Sequence, residues 1–349
     1  SPGVENRMKR TSLIFEKPHT VVIKEEPLPA PGTGEVLIKT IFSAVSAGSE
    51  LLIYRGLMPS GLPADMTIKA LSKPFRYPLK YGYASVGEVV AVGSGIDQQW
   101  RGRQVFCFHP HESHYTATIE DIMVLPAAVD PKEALFLPNM ESAVNFLMDG
   151  RPAIGERVCV FGQGIVGLLT TALLAQYPLR QLVTFDRYSA RRRASMDAGA
   201  DIALDPEDPA STDALPDAGD PNVTAGLADL VFELSGNPQA LNQAIQVAGF
   251  GGRIVLGSWY GRQEARLDLG GRFHRNRIQL ISSQVSTLAP EFSGRWSKNR
   301  RLNVAWEMIR RIKPADFITH RYDIRQAEQA FQLLDERPEE AIQMVLTYE

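Results

Sequence analysis

The stretch VCVFGQGIVGLLTTALL, residues 158 to 174, constrains the fold of this chain more than any other. Gly162, Gly164 and Gly167 stand in the spacing G-x-G-x-x-G, after an apolar run and before a run of helical periodicity. A strand that turns tightly into a helix through three glycines is a phosphate-binding turn in a doubly wound sheet. Gly162 permits the turn, Gly164 lets a pyrophosphate approach the backbone, and Gly167 lets the helix pack on the strand. The first helical residues, Ile165 and Val166, offer free N–H groups and the positive end of the helix dipole to the anion. A glycine-rich turn without ligand is the plainer alternative.

The surrounding grammar agrees. Residues 157 to 284 alternate strand and helix: RVCVFG, QLVTFD, DLVFELSG, GRIVLGS and IQLISSQ are strand candidates, and 165–176, 189–198 and 238–248 are helix candidates. That alternation predicts a parallel sheet with crossover helices. The run DPEDPASTDALPDAGDPNVTAG, 205 to 226, interrupts it and reads as an exposed loop. Residues 11 to 125 instead read as short strands separated by Pro/Gly turns, a small barrel or sandwich. From Asp130, with Pro131 at the first helical position, the chain reads as a helix to about 150. After 285 come a loop, the helix KNRRLNVAWEMIRRI, a mixed segment and a last strand, AIQMVLTYE. The expected organisation is therefore an α/β chain with a β-rich domain over 1–149, a dinucleotide-binding domain over 150–284 and a C-terminal return to the first domain over 285–349.

At 349 residues the chain exceeds one ordinary core. Its net charge of -3 offers no electrostatic case for nucleic acid or an acidic membrane surface. No apolar run reaches the roughly 18 residues of a membrane span. No leader-like stretch opens the sequence, and SPGVENR before Met8 is set aside as a tail. Two cysteines, Cys107 and Cys159, argue against a disulfide framework, exclude a four-cysteine zinc site and suit a reducing, cytoplasmic setting.

Asp186 ends the second strand, about where an acid binds the adenosine ribose. A carboxylate there accepts from both ribose hydroxyls and repels a 2'-phosphate, which favours NAD. Arg187, Arg191, Arg192 and Arg193 pull the other way. They can stack on adenine or hold a 2'-phosphate, so NADP stays open; a solvated helix face is the plainer reading of the triple arginine.

The pieces PGTGEVLIK, SAGSELLIYRG, GYASVGEVVAVG, VCVFGQGIVG, FDRYSARRRASMDAGAD, FELSGNPQALNQAI and GGRIVLGSWYG together resemble the medium-chain dehydrogenase/reductase superfamily along nearly the whole chain. The resemblance implies a GroES-like β-rich catalytic domain beside a Rossmann domain. It implies that Ser235 and Gly236 lie beside the nicotinamide ribose, and that Gly257, Ser258, Ser283 and Gln284 also line the cofactor. FHRNRIQLISSQVS and RWSKNRRLNVAWEMIRR resemble, less specifically, the group that contains bacteriochlorophyllide dehydrogenase.

The departures from the superfamily bear on mechanism. Where zinc members carry their cysteine, glycine, threonine or serine, and aspartate, this chain has Ala47, Gly48, Ser49 and Glu50. Where they carry glycine, histidine and glutamate it has Gly82, Tyr83 and Ala84, and near their third ligand it has Pro138 and Asn139. The resemblance therefore implies a zinc-independent member. Without zinc, hydrogen-bond donors must meet the substrate oxygen. Tyr83 is the first candidate, with filling of the vacated space as its alternative. Ser49 aligns with the proton-relay hydroxyl, or is a serine capping the helix that follows. Glu50 is a capping-turn acid or a partner for Tyr83. His109, His111 and His114 are poorly spaced for a metal, and His109 or His111 is expected to line the pocket. Asn145 is a further polar candidate, and Trp259 and Trp296 are candidates for an apolar pocket wall, or for core or dimer contacts.

The function expected is hydride transfer between a nicotinamide cofactor, NAD before NADP, and an alcohol or ketone carbon. A reductase of conjugated C=C bonds and a non-catalytic dinucleotide-binding protein are the alternatives. A small-molecule substrate is the expected partner, and family habit implies a homodimer.

Overall fold

A computed structural model describes residues 8–59, 71–209, 211, 215 and 227–349. The opening SPGVENR and most of the 205–226 run lie outside the described residues. Two compact units emerge: Ser1–Pro138 with Lys313–Glu349, and Asn139–Ile312.

The first unit is β-rich. Its strands in chain order are β1 (Lys9–Lys17), β2 (Thr20–Pro27), β3 (Glu35–Val45), β4 (Ser85–Val92), β5 (Gln104–Cys107), β6 (His114–Thr118) and β7 (Ile122–Val124). β1 and β2 form an antiparallel hairpin. β3 is the hub of the larger sheet, pairing antiparallel with β4 and β6. Helix α1 (Ala47–Tyr54) follows β3 directly and buries Leu51, Leu52, Ile53 and Tyr54 against Phe15 and Phe331 of the core. The helix read from Asp130 breaks into α2 (Pro131–Ala134) and α3 (Leu137–Gly150). Asp130 caps α2, accepting from the N–H groups of Lys132 and Glu133. Pro138 lacks the N–H that would continue α2 through this point.

The second unit is a six-stranded parallel sheet: β8 (Arg157–Phe161), β9 (Gln181–Phe185), β10 (Ile202–Leu204), β11 (Ala228–Glu233), β12 (Ala248–Leu256) and β13 (Gln279–Ser282). The order across the sheet is β10-β9-β8-β11-β12-β13, which reverses between β8 and β11. That is the doubly wound order with its switch point. Buried β-branched and aromatic residues such as Val158, Val160, Phe185 and Ile254 fill strands covered on both faces. Crossover helices α4 (Ile165–Leu174), α5 (Ser189–Asp197) and α6 (Ala240–Val247) lie close to the expected spans, and α7 (Arg272–Arg275) is a single turn. Leu215, expected in an exposed loop, is fully buried with Val231 and Ala244 in this core.

Helix α8 (Lys298–Ile312) belongs to the second unit, so the return to the first begins at Lys313 and not at 285. The physical reason is Arg301. It is fully buried, bonding Asn145, Glu141 and the carbonyls of Thr287 and Val285, all within 139–312. The chain then closes the β-rich unit with β14 (Ile318–Asp323), α9 (Ala327–Glu336) and β15 (Gln343–Thr347). β15 pairs with β3. No described helix is long and apolar enough to cross a membrane.

Candidate active site

In the first unit, β3 and α1 meet the segment leading into β4. Ser46 is the N-cap of α1, so Ser49 lies within the helix and is not its cap. The Ser49 hydroxyl instead lies 2.8 Å from the Tyr83 hydroxyl. Tyr83 packs edge-on against Tyr81, with ring centroids 6.0 Å apart. Glu50 is fully buried, and each of its carboxylate oxygens has a partner of its own. One of its oxygens accepts from the Ser46 N–H and the other meets His111 Nε2 at 2.5 Å. His111 Nδ1 meets Ser43 Oγ at 2.7 Å, and Ser43 also meets the Tyr348 hydroxyl at 2.7 Å. Gly82, at φ +139°, lies beside this imidazole; a Cβ there would sit 2.8 Å from His111 Nε2, so only glycine fits.

His109, the first histidine candidate, sits elsewhere. Its ring stacks on Tyr115 at 3.7 Å and its Nε2–H donates to Glu112 at 2.9 Å. Burial pushes its pKa down, against the pull of Glu112. Glu112 also accepts from Ser12 at 2.8 Å, Lys80 at 3.0 Å and Arg10 at 3.2 Å. Burial alone would raise that carboxyl, but the bond from His109 and the cations hold it down to about 2. His109 is therefore a strut in an ionic cluster, while His111 is the histidine that joins Glu50.

The aligned positions Ala47, Tyr83, Pro138 and Asn139 do not fit zinc, which takes thiolate, imidazole or carboxylate ligands. Among the described residues no three such groups converge on one point. Both cysteines are buried and unpaired, and burial pushes the Cys107 thiol up to about 12, away from the thiolate a metal needs.

In the second unit the glycine turn has the geometry each position demands. Gly162 has φ +94°, and a Cβ there would lie 2.6 Å from the backbone of Leu234 and Ser235. A Cβ on Gly167 would lie 1.9 Å from the Gly162 carbonyl oxygen, so helix and turn touch. At Gly164 a Cβ would meet nothing within 4 Å, which leaves the approach open for a ligand. Gly164 caps α4 without a side-chain bond, so the N–H groups of Ile165 and Val166 open the helix uncovered by a cap. These residues fit a pyrophosphate.

Asp186 is almost fully buried. Its carboxylate accepts from the N–H of Gln163, inside the turn, and from that of Tyr188, each at 2.8 Å. Arg187 and Arg191 lie over the Tyr188 ring at 4.7 and 5.0 Å. Arg192 turns back to the Asp186 carbonyl at 2.8 Å, a structural use.

After β11 and β12 the loops are laced together. The Gly236 N–H donates to Ser258 Oγ at 2.9 Å, and Ser235 bonds the buried Glu233 through both its N–H and its hydroxyl. Gly257 packs so closely on the Phe146 ring that a Cβ would lie 2.6 Å away. Ser283 lies 3.0 Å from Asn145 and 2.6 Å from Asp149. The Asn145 carbonyl accepts from Arg301 at 2.7 Å. Asn145 thus has both ends of its amide occupied in a buried network. Gln284 closes a local turn on Ser286. Trp259 is partly exposed, and Trp296 stacks under the Arg300 guanidinium at 4.0 Å, so neither is a core residue. Sequence reasoning missed Ser43, Glu112, Glu233 and Arg301. A charged residue ending an apolar strand, as Glu233 does in LVFE, was the available signal.

A family model described as zinc-binding dehydrogenase matches residues 166–299. The chain is 23% identical to the starvation-sensing protein RspB of Escherichia coli K12, over 97% of this chain and 99% of that protein. The structure of the rspB alcohol dehydrogenase of E. coli CFT073, complexed with NADH, is similar at a TM-score of 0.74 and 20% identity, covering 97% of this chain and 99% of that one. The family match and these relatives support the resemblance of this chain to the medium-chain dehydrogenase/reductase superfamily. A putative zinc-binding dehydrogenase from Sinorhizobium meliloti 1021, bound to NADP, gives a TM-score of 0.76 at 16% identity, with 97% and 99% coverage. The fold these structures share with the chain is a GroES-like unit and a Rossmann unit. The matched family segment lies wholly in the Rossmann unit, away from positions 47 and 83, and so carries no information about metal.

Proposed function

We propose that this chain is a zinc-independent oxidoreductase that uses a nicotinamide dinucleotide to interconvert an alcohol and a ketone. The cofactor, when bound, supplies or accepts the hydride. The chain itself must hold the cofactor and handle the proton. Gly162, Gly164 and Gly167 with the start of α4 receive the pyrophosphate, and Asp186 both braces that turn and presents its remaining lone pairs to the adenosine ribose. This supports NAD, while Arg187 and Arg191 beside Tyr188 are the groups that would admit NADP.

The observation that carries the catalytic half is the 2.8 Å contact between the Tyr83 and Ser49 hydroxyls. A phenol at a former ligand position can donate to the substrate oxygen as negative charge develops, and Ser49 can return the proton to it. In reduction the Tyr83 phenol would give its proton to the substrate oxygen and take the Ser49 hydroxyl proton in turn, with water replacing the proton on Ser49; in oxidation the relay would run in reverse and release the alcohol proton to water. Glu50 and His111 act through position: their buried contact fixes α1 and hence Ser49.

The test is single-turnover hydride transfer in Tyr83→Phe beside Ser49→Ala, with cofactor affinity measured for each, over a panel of ketones and enones. Tyr83→Phe should lose roughly 10²–10³ in rate with cofactor binding unchanged. Wild-type rates in that variant would make Tyr83 a space-filler. Turnover of enones alone would replace the reading with a double-bond reductase, and tight cofactor binding without turnover would make the protein a binder only.

A further inference from the structure

The carboxyl end of β11 holds an acid that the reading above leaves unused. Glu233 is fully buried. One oxygen accepts from the Ser235 N–H at 2.7 Å and from the Ser235 hydroxyl, and the other accepts from the Tyr260 hydroxyl. The Asn237 N–H donates to Ser235 Oγ at 3.1 Å, which leaves the serine hydrogen free to point at the carboxylate. The Ser235 N–H is an obligate donor, and the Ser235 and Tyr260 hydroxyls can donate as well, an arrangement that accommodates the ionised acid. Burial works the other way and raises the pKa, partly offset by these donors.

Among the described residues no cation pairs with Glu233. Glu141 of the same unit is compensated by Arg301 at 3.4 Å, whereas Asp186, like Glu233, is held by neutral donors. Glu233 is thus a buried carboxyl held by neutral groups alone.

Its place in the sheet gives this carboxyl a target. The strand order reverses between β8 and β11. A dinucleotide laid over that point puts its adenosine half by β8 and β9, where Asp186 stands, and its other half over β11 and β12. Glu233 ends β11, and Tyr260 follows β12. The nicotinamide ring carries a formal positive charge only when oxidised. A buried carboxylate, little screened by water, distinguishes the two states.

We propose that Glu233 discriminates cofactor redox state, stabilising the bound oxidised nicotinamide over the reduced one and so favouring loading with the oxidised form. This rests on the dinucleotide reading above. Dissociation constants for NAD⁺, NADH and ADP-ribose, measured by calorimetry on the full chain without turnover and with the NADP pair in parallel, test it. Glu233→Gln should weaken the oxidised form roughly three- to tenfold relative to the reduced form, with ADP-ribose unchanged. Equal weakening of both forms would make Glu233 a loop brace and overturn the proposal, as would loss of ADP-ribose binding along with them. Tyr260→Phe keeps the carboxyl and removes a donor, so it should hold the wild-type preference or increase it; a shift toward the reduced form overturns the proposal even if Glu233→Gln fails to fold. An unaltered protein that binds none of these ligands refutes the dinucleotide reading itself. Normal binding with an unmoved ratio in Glu233→Gln refutes the discriminator alone.

Discussion

Gly162, Gly164 and Gly167 work by having no side chains, whereas Tyr83, Ser49, Glu50 and His111 work only through theirs. The first set is contiguous, and each glycine is required by a backbone atom or by open space within its own unit. The second joins pairs 34 and 61 residues apart, Ser49 with Tyr83 and Glu50 with His111, by hydrogen bonds between α1 and two loops. A backbone site is written in local spacing. A side-chain site depends on which elements the fold brings together, and so is written in no single stretch.

This contrast can be broken most forcefully at Glu50. Leaving a buried polar group without its partner typically costs about 1–3 kcal/mol, and Glu50→Ala strands both the Ser46 N–H and His111, so it should destabilise the β-rich unit by that order for each, as read by urea titration. An unchanged midpoint would show that His111 is held by Ser43 alone. The next effect is expected at Asp186. Asp186→Ser removes the acceptor for the Gln163 and Tyr188 N–H groups and should weaken NADH by roughly 1.5–3 kcal/mol per lost charge-assisted bond. If NADPH already binds the unaltered protein more tightly than NADH, Asp186 does not set cofactor choice. Gly167→Ala should follow, since its Cβ meets a backbone oxygen that cannot move aside cheaply. About 1–3 kcal/mol of strain in the turn should appear as weaker ADP-ribose binding, and wild-type affinity would mean the helix shifts freely. The smallest expected effect is none at all: chelators should leave activity unchanged, and elemental analysis returning about one zinc per chain would end the zinc-independent reading.

Acid should separate the two regions as well. The Glu112 carboxyl is depressed to about 2 in the folded state, below its ordinary value near 4.5. Its contribution is therefore full above the ordinary carboxyl range and is lost as pH falls from about 4.5 to 2. Lys80→Met should move the acid unfolding of the β-rich unit to higher pH, monitored by circular dichroism; an unmoved transition would mean that Arg10 and His109 suffice.

Much of the second unit was legible before any coordinates. Parallel strands buried on both faces read as apolar runs, and β8, β9 and helix α8 fall where the pattern puts them. The boundary at 285 was not legible, because the pull on α8 comes from one buried guanidinium meeting Asn145, 156 residues away. His109 and His111 show the same limit. Both lie in CFHPHESHYT, and no periodicity separates them. The fold does so, stacking His109 on Tyr115 beside Glu112 while pressing His111 against Gly82 and Glu50.

The sequence by itself determined the doubly wound unit and its glycine turn, since both follow from residue type at fixed local spacing. Only the tertiary structure decided that Ser49 partners Tyr83, that Glu50 partners His111, that Asn145 is consumed by Arg301, and that Glu233 is held by neutral groups alone. Those four outcomes are set by which buried donors and acceptors lie within about 3 Å of one another, and that distance exists only after the chain has packed.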